Sequence, residues 1–304
     1  LAAAEPSAVY IFLRLAAKSK GIIEGIGAMA HGSRAAMALA GFTALGLAAA
    51  AHAASIPTPD HVVIVMEENH GYSQIIGSSS APFINSLAQA GALFTNSYAI
   101  EHPSQPNYLD LFSGSNQGIR NDSCPHNLAA ASEASELIDA GFRFAGYAED
   151  LPGKGSEVCA AGGYVRKHAP WTDFTGLPAK TNLPFAKFPA KYGRLPTVSW
   201  VIPNLHDDMH DGTIRQADAW LEMNLSGYVD WAASHNSLLI VTFDEDDGSQ
   251  HNHIATIFVG PMVKPGQYGE SINHYTLLRT IEAMYGLAPL GNSQSVNPIG
   301  DVWQ

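Results

Sequence analysis

Residues 62–66 form a short, unbroken, β-branched apolar run, the pattern of a strand buried on both faces of a parallel sheet. Pro82 then opens a helix that Gly91 stops, and residues 92–98 read as a second strand. A helix over 132–140, ended by Gly141, leads into a strand over 142–148. The second half repeats the order: strand 197–202, a long helix within 214–235, strand 237–243, strand 254–259 and a last helix over 275–285. Strand and helix in alternation predict an α/β fold. The stretch 151–191, rich in Gly, Pro and aromatic residues, reads as an irregular excursion. Neither a linker nor a repeat divides the chain, so 54–304 is expected to be a single domain.

The N-terminal pattern differs. From Met29 a short basic stretch ends at Arg34, an apolar run spans 35–50, and Ala51-His52-Ala53 is a small-residue cleavage site. Residues 29–53 therefore read as a secretory signal peptide and 1–28 as an upstream extension. The expected location is secreted or periplasmic in a bacterium, with no membrane span in the mature protein. In such a compartment the only two cysteines, Cys124 and Cys159, are expected to pair, closing a loop of about 36 residues worth about 4 kcal/mol on the chain-entropy model. A net charge of -12 sets nucleic acid aside as a partner.

The polar clusters follow the strands, where open parallel sheets place ligand sites. Glu67-Glu68-Asn69-His70 follows the first strand, and Asp244-Glu245-Asp246-Asp247-Gly248 follows a late one. Two acidic clusters on one sheet edge repel unless a cation lies between them. Oxygen ligands suit Mg, Mn or Ca, while nearby His251 and His253 admit Zn or Fe. Asp244–Gly248 is no EF-hand, because Ser249 and Ala255 stand where the loop needs its Gly and Glu. His206-Asp207-Asp208-Met209-His210 has the histidine spacing of a zinc protease, but Asp207 replaces the Glu base and the flanks suggest a loop. Ser104, between Pro103 and Pro106 at a strand-to-helix turn, is a nucleophile candidate whose anionic adduct would face a helix N-terminus; the alternative is a capping serine. No GxSxG pentapeptide supports an ordinary serine esterase.

Taken together, HVVIVMEENHGY, PFINSLAQAGALFTNSYAIEHPSQPNYLDLFSGSNQGI, YVRKHAPW, VIPNLHDDMHDG and LLIVTFDEDDGSQHNH, in this order, resemble the phosphoesterase family of acid phosphatases and C-type phospholipases. The resemblance implies an alkaline-phosphatase-like, three-layer α/β/α sandwich with a mostly parallel sheet, and a metal-dependent phosphoric ester hydrolase. By position it implies Glu68, Asn69, Ser104, Asp244 and Glu245 around a divalent metal ion. Ser104 would be the nucleophile, with His102, His168 and His210 on the phosphoryl group and Asn69, Asn107 and Lys167 as substrate contacts. Arg166 is a further cation for a monoester dianion, and His274 is either catalytic or structural. The partner is a small phosphate ester or a phospholipid headgroup, with phosphomonoesters favoured over diesters of the phospholipase C type. A non-catalytic metal- or phosphate-binding exported protein is the weaker reading, since it would not need Ser104.

Overall fold

The computed structural model describes residues 55–304; the segments expected to be a signal peptide, 29–53, and an upstream extension, 1–28, lie outside them. In chain order the elements are β1 (His61–Glu67), α1 (Tyr72–Ile75), α2 (Pro82–Ala90), β2 (Ala92–Tyr98), α3 (Ser104–Ser113), α4 (Glu133–Asp139) and β3 (Phe144–Ala148). The excursion holds β4 (Ala160–Ala161), β5 (Tyr164–Val165), β6 (Asn182–Pro184) and several single 3₁₀ turns. Then come β7 (Val198–Ile202), α5 (Ile214–Ala232), β8 (Ser237–Phe243), β9 (His253–Val259), β10 (Gly266–Tyr268), β11 (Ile272–Asn273) and α6 (His274–Tyr285).

The main sheet runs β10-β2-β9-β8-β1-β7-β3-β6, with β11 also beside β2. Pairing is parallel except where β9 lies antiparallel between β2 and β8. β1 is central and wholly buried, as its apolar run requires. Its side chains alternate. Val62, Ile64 and Met66 join one core with Tyr108, Leu109 and Phe112 of α3, Leu137 of α4 and Leu277, Leu278 and Ile281 of α6. Val63 and Val65 are equally buried but lie outside that core, and so face the other layer, with α2 and α5. The result is the α/β/α sandwich expected.

Side chains from distant elements supply helix ends that lack local caps. Ala81 precedes α2 without a side-chain acceptor, and Asp218 of α5 accepts instead from the amides of Phe83 (3.0 Å) and Ile84 (2.8 Å). Cys124 and Cys159 are bonded, 35 residues apart, tying the loop before α4 to the excursion. Buried Arg166 stiffens the same region: it pairs with Asp173 at 3.0 Å and donates to the carbonyls of Glu157, His126 and Thr172. Its guanidinium is committed to the scaffold, which corrects its expected place among the phosphoryl contacts. No helix among the described residues is long and apolar enough to cross a membrane.

Candidate active site

The two-residue period of β1 decides which of its terminal carboxylates meets the others. Glu68 continues the Val62–Ile64–Met66 face toward α3, whereas Glu67 turns to the opposite layer, where burial first and then Asp208 raise its pKa well above the ordinary range. β8 runs parallel to β1 with Phe243 opposite Glu67, so Asp244 emerges beside Glu68. The Asn69 amide donates to Asp244 Oδ1 at 3.1 Å, and the Asn69 side chain donates to Glu68 Oε2 at 3.1 Å. Asn69 adopts a left-handed φ of 55°, a conformation that asparagine tolerates better than most residues.

Ser104 is the first residue of α3 and is buried. Its Oγ lies 3.1 Å from Glu68 Oε2 and 3.3 Å from Glu245 Oε1, so one hydroxyl bridges the two acidic loops. Tyr108, one turn further along the same face, donates to Glu68 Oε1 at 2.7 Å. His168 stacks on Tyr108 and places its nitrogens 3.0 Å from Glu68 Oε1 and 3.3 Å from Asp208 Oδ2. His210 accepts from Lys167 Nζ at 3.4 Å through Nε2, while its Nδ1 faces Asp211 at 2.8 Å. Glu68, His168 and His210 form a group whose candidate ligand atoms all lie within 4.8 Å of one another.

This much buried charge needs balancing. Burial pulls His168 down, yet Glu68 and Asp208 outweigh it and hold its pKa up at about 9. Burial works to raise Glu68, but His168 and the Tyr108 hydroxyl bring it down to about 2. Burial, then Glu68 and Glu245, push Asp244 well up; burial, then Glu68, push Glu245 up to about 8. Asp244 Oδ2 is buried with no hydrogen-bond partner, and the Ser104 hydroxyl has one proton for two carboxylates. Hard oxygens, mutual repulsion and an orphaned carboxylate oxygen fit a divalent cation at this point.

Asn107 and His102 make their contacts with neighbouring loops, and His274 takes the structural alternative. Asn107 is fully buried: its carboxamide accepts from the amides of Ile100 and Glu101 and donates to the carbonyls of Glu101 and Pro103 and to Glu245. It shapes the loop before Ser104 and leaves no group for substrate. His102 turns to the late acidic loop, with its nitrogens 2.7 Å from Glu245 and 3.4 Å from Asp246. His274 is buried, and burial brings its pKa down to about 4; its Nε2 lies 2.8 Å from the Asp244 carbonyl, a structural clamp. Among the other histidines, His253 stacks on Tyr72 and Tyr98 with Nε2 toward the Thr95 carbonyl, while His251 and His206 are exposed. The 206–210 segment is a loop, so no helix aligns its two histidines.

Sequence reading missed Tyr108, Asp208 and Asp122, which together hold Glu68, His168, Lys167 and the start of α3. Only Tyr108 left a signal, its four-residue spacing from Ser104. A cavity of about 590 Å³ beyond β3 is lined by Glu149, Asp150, Phe185, Phe188 and Tyr192. It lies apart from the Ser104 cluster and shares no residue with it.

The sequence pattern of the Phosphoesterase family matches residues 78–288. The chain is 52% identical over 262 residues to a phosphatidylinositol-3-phosphatase of Mycobacterium tuberculosis, covering 85% of this chain and 86% of that one. It is 31% identical over 227 residues to a phosphate-repressible acid phosphatase of Penicillium chrysogenum, covering 68% of this chain and 55% of the fungal one. In fold it is similar to a solved alkaline phosphatase superfamily protein from Vibrio parahaemolyticus, with a TM-score of 0.54 at 15% identity, covering 80% and 71% of the two chains. With the strand-end carboxylates and the family match in agreement, the chain belongs to the phosphoesterase family and is a phosphoric ester hydrolase.

Proposed function

We propose that the chain is an exported, metal-dependent phosphomonoesterase that works through a phosphoserine on Ser104. The observation that carries the proposal is the Ser104 hydroxyl, set at a helix N-terminus between Glu68 and Glu245. A divalent cation held by Glu68, Asn69, Ser104, Asp244 and Glu245, with His168 and His210 at hand, would supply charge neutralisation and favour the serine alkoxide.

In the first step Ser104 Oγ attacks phosphorus and gives up its proton. The phosphorus–oxygen bond to the alcohol breaks, and the leaving oxygen takes up the proton that Ser104 released. Water then attacks the phosphoserine, the phosphorus–Oγ bond breaks, and one proton of that water passes to Ser104 Oγ as phosphate leaves. His168, set between Glu68 and Asp208, and Lys167, held by Asp122, are the donors for the negative charge on the transferred group. The relative named a phosphatidylinositol-3-phosphatase supports a monoester on an inositol ring as one substrate. The Cys124–Cys159 bond supports export.

Hydrolysis of a chiral phosphate monoester tests the mechanism: two successive displacements retain configuration at phosphorus, and inversion would remove the phosphoserine. A side-by-side panel of aryl phosphate, aryl diester and phosphatidylinositol 3-phosphate tests the substrate class. A preference for diesters of roughly a hundredfold or more in kcat/KM would reverse it.

A further inference from the structure

We propose that Asp122 is a specificity-determining residue for this reaction: its carboxylate occupies donors that a phosphoryl oxygen uses, and the bound anion must displace it. Asp122 stands on the loop between α3 and α4, two residues before the disulfide at Cys124. Its Oδ1 accepts from the Gln105 amide at 3.0 Å, and its Oδ2 accepts from Lys167 Nζ at 2.8 Å. Gln105 directly follows Ser104 in the first turn of α3. Pro103 supplies no side-chain cap to this helix, and Pro106 has no N–H. Asp122 therefore supplies an acceptor for that turn from a distant loop.

Lys167 links this contact to the reaction centre. Its ammonium lies 3.4 Å from His210 Nε2, and His210 belongs to the group formed with Glu68 and His168. At the centre, Asp244 Oδ2 is a buried polar atom with no hydrogen-bond partner. An amide at a helix start and an ammonium are groups that grip the non-bridging oxygens of a phosphate. In this structure a carboxylate holds both. The Asp122 side chain is 31% exposed, against 16% for Lys167, so it can swing outward without disturbing the core. Like charge does the rest: every incoming or product phosphate meets the repulsion of this carboxylate and must take over its partners. Asp122 thus weakens the grip on oxyanions and speeds release of the product.

This inference rests on the phosphomonoesterase reading, and the experiment separates the two. Inorganic phosphate is titrated calorimetrically into the full-length protein, and inhibition by phosphate is measured against an aryl phosphate, for wild type, Asp122→Asn, Lys167→Met and the double variant. Asp122→Asn keeps the size and the acceptor oxygen while removing the charge. It should bind phosphate roughly tenfold more tightly, with KM lowered in step, and most of that gain should vanish in the Lys167→Met background. Asp122→Ser, which removes the Lys167 contact as well, should shift affinity in the same direction. Unchanged or weaker phosphate binding in a folded Asp122→Asn protein would overturn the proposal and leave Asp122 as an orienting partner of Lys167. Loss of bound metal in that variant would overturn it too. Absence of monoester hydrolysis in the wild type would sink the functional reading alone, since the phosphate titration still decides the role of Asp122.

Discussion

Asn107→Ala separates a loop-holding role from a substrate contact. The carboxamide joins Ile100, Glu101 and Pro103 of the loop to Glu245, and truncation leaves the two amides it accepts from without an acceptor. Each orphaned amide costs about 1–3 kcal/mol. Ile100 and Glu101 are half-buried, so water recovers part of this, leaving a loss of about 2–4 kcal/mol. For a domain of this size, 1 kcal/mol moves the melting temperature by about 2–4 °C, so the variant should melt lower by on the order of 5–15 °C. The same change loosens the segment that sets His102 and the first turn of α3, and kcat should fall with it. Thermal unfolding followed by circular dichroism, alongside steady-state kinetics on an aryl phosphate, gives both readouts. A variant that melts with the wild type and shows a raised KM at unchanged kcat would refute the reasoning, because the side chain would then be touching substrate.

Ser104→Ala deletes the hydroxyl between Glu68 and Glu245 and should lower turnover by roughly a thousandfold or more with the fold intact, whereas near-normal turnover would hand the attack to water. Prolonged chelation should abolish turnover, and readdition of Mg, Mn, Ca, Zn or Fe singly should restore it; full activity in protein shown metal-free by elemental analysis would exclude the cation. Burial pushes Glu133 up to about 8 against the hydrogen bond from Trp200, so the folded protein keeps a proton that the unfolded chain releases near its ordinary pKa of about 4.3. The folded state then binds more protons between those values, and stability falls as pH rises from about 4 to about 8. Glu133→Gln should flatten that decline in denaturant titrations across pH, and an unchanged slope would assign it elsewhere. Replacing both Cys124 and Cys159 by Ser should cost about 4 kcal/mol, read as a lower denaturant midpoint.

The central strands were legible because residues 62–66 of β1 are an unbroken apolar run, and β7 and β8 are apolar but for Ser199, Ser237 and Thr242, as burial on both faces demands; their bounds moved by a residue or two at most. The short strands β4, β5, β6, β10 and β11 carried no such pattern; tertiary partners alone hold two or three residues extended. Strand-end position likewise exposed Glu68, Asn69, Asp244 and Glu245, since topology brings the ends of β1 and β8 together. It could not separate a residue facing substrate from one facing the loop behind it, which is why Asn107 reads as a contact in the sequence. Asp208 and Asp122 were invisible for the same reason: their partners, His168 and Lys167, come from the excursion, whose path no periodicity records.

That excursion divides the labour of the molecule in a way that bears on how such enzymes diversify. The carboxylates that must stay fixed sit on the ends of the most deeply buried strands, where any shift disturbs the whole sandwich. His168 and Lys167 ride instead on an irregular segment fastened by one disulfide, the Arg166–Asp173 pair and a two-residue ribbon. Insertions, exchanges or grafts in this segment can reshape what meets the bound ester while leaving the strand-end charges untouched, so the excursion is the natural cassette for altering selectivity by design.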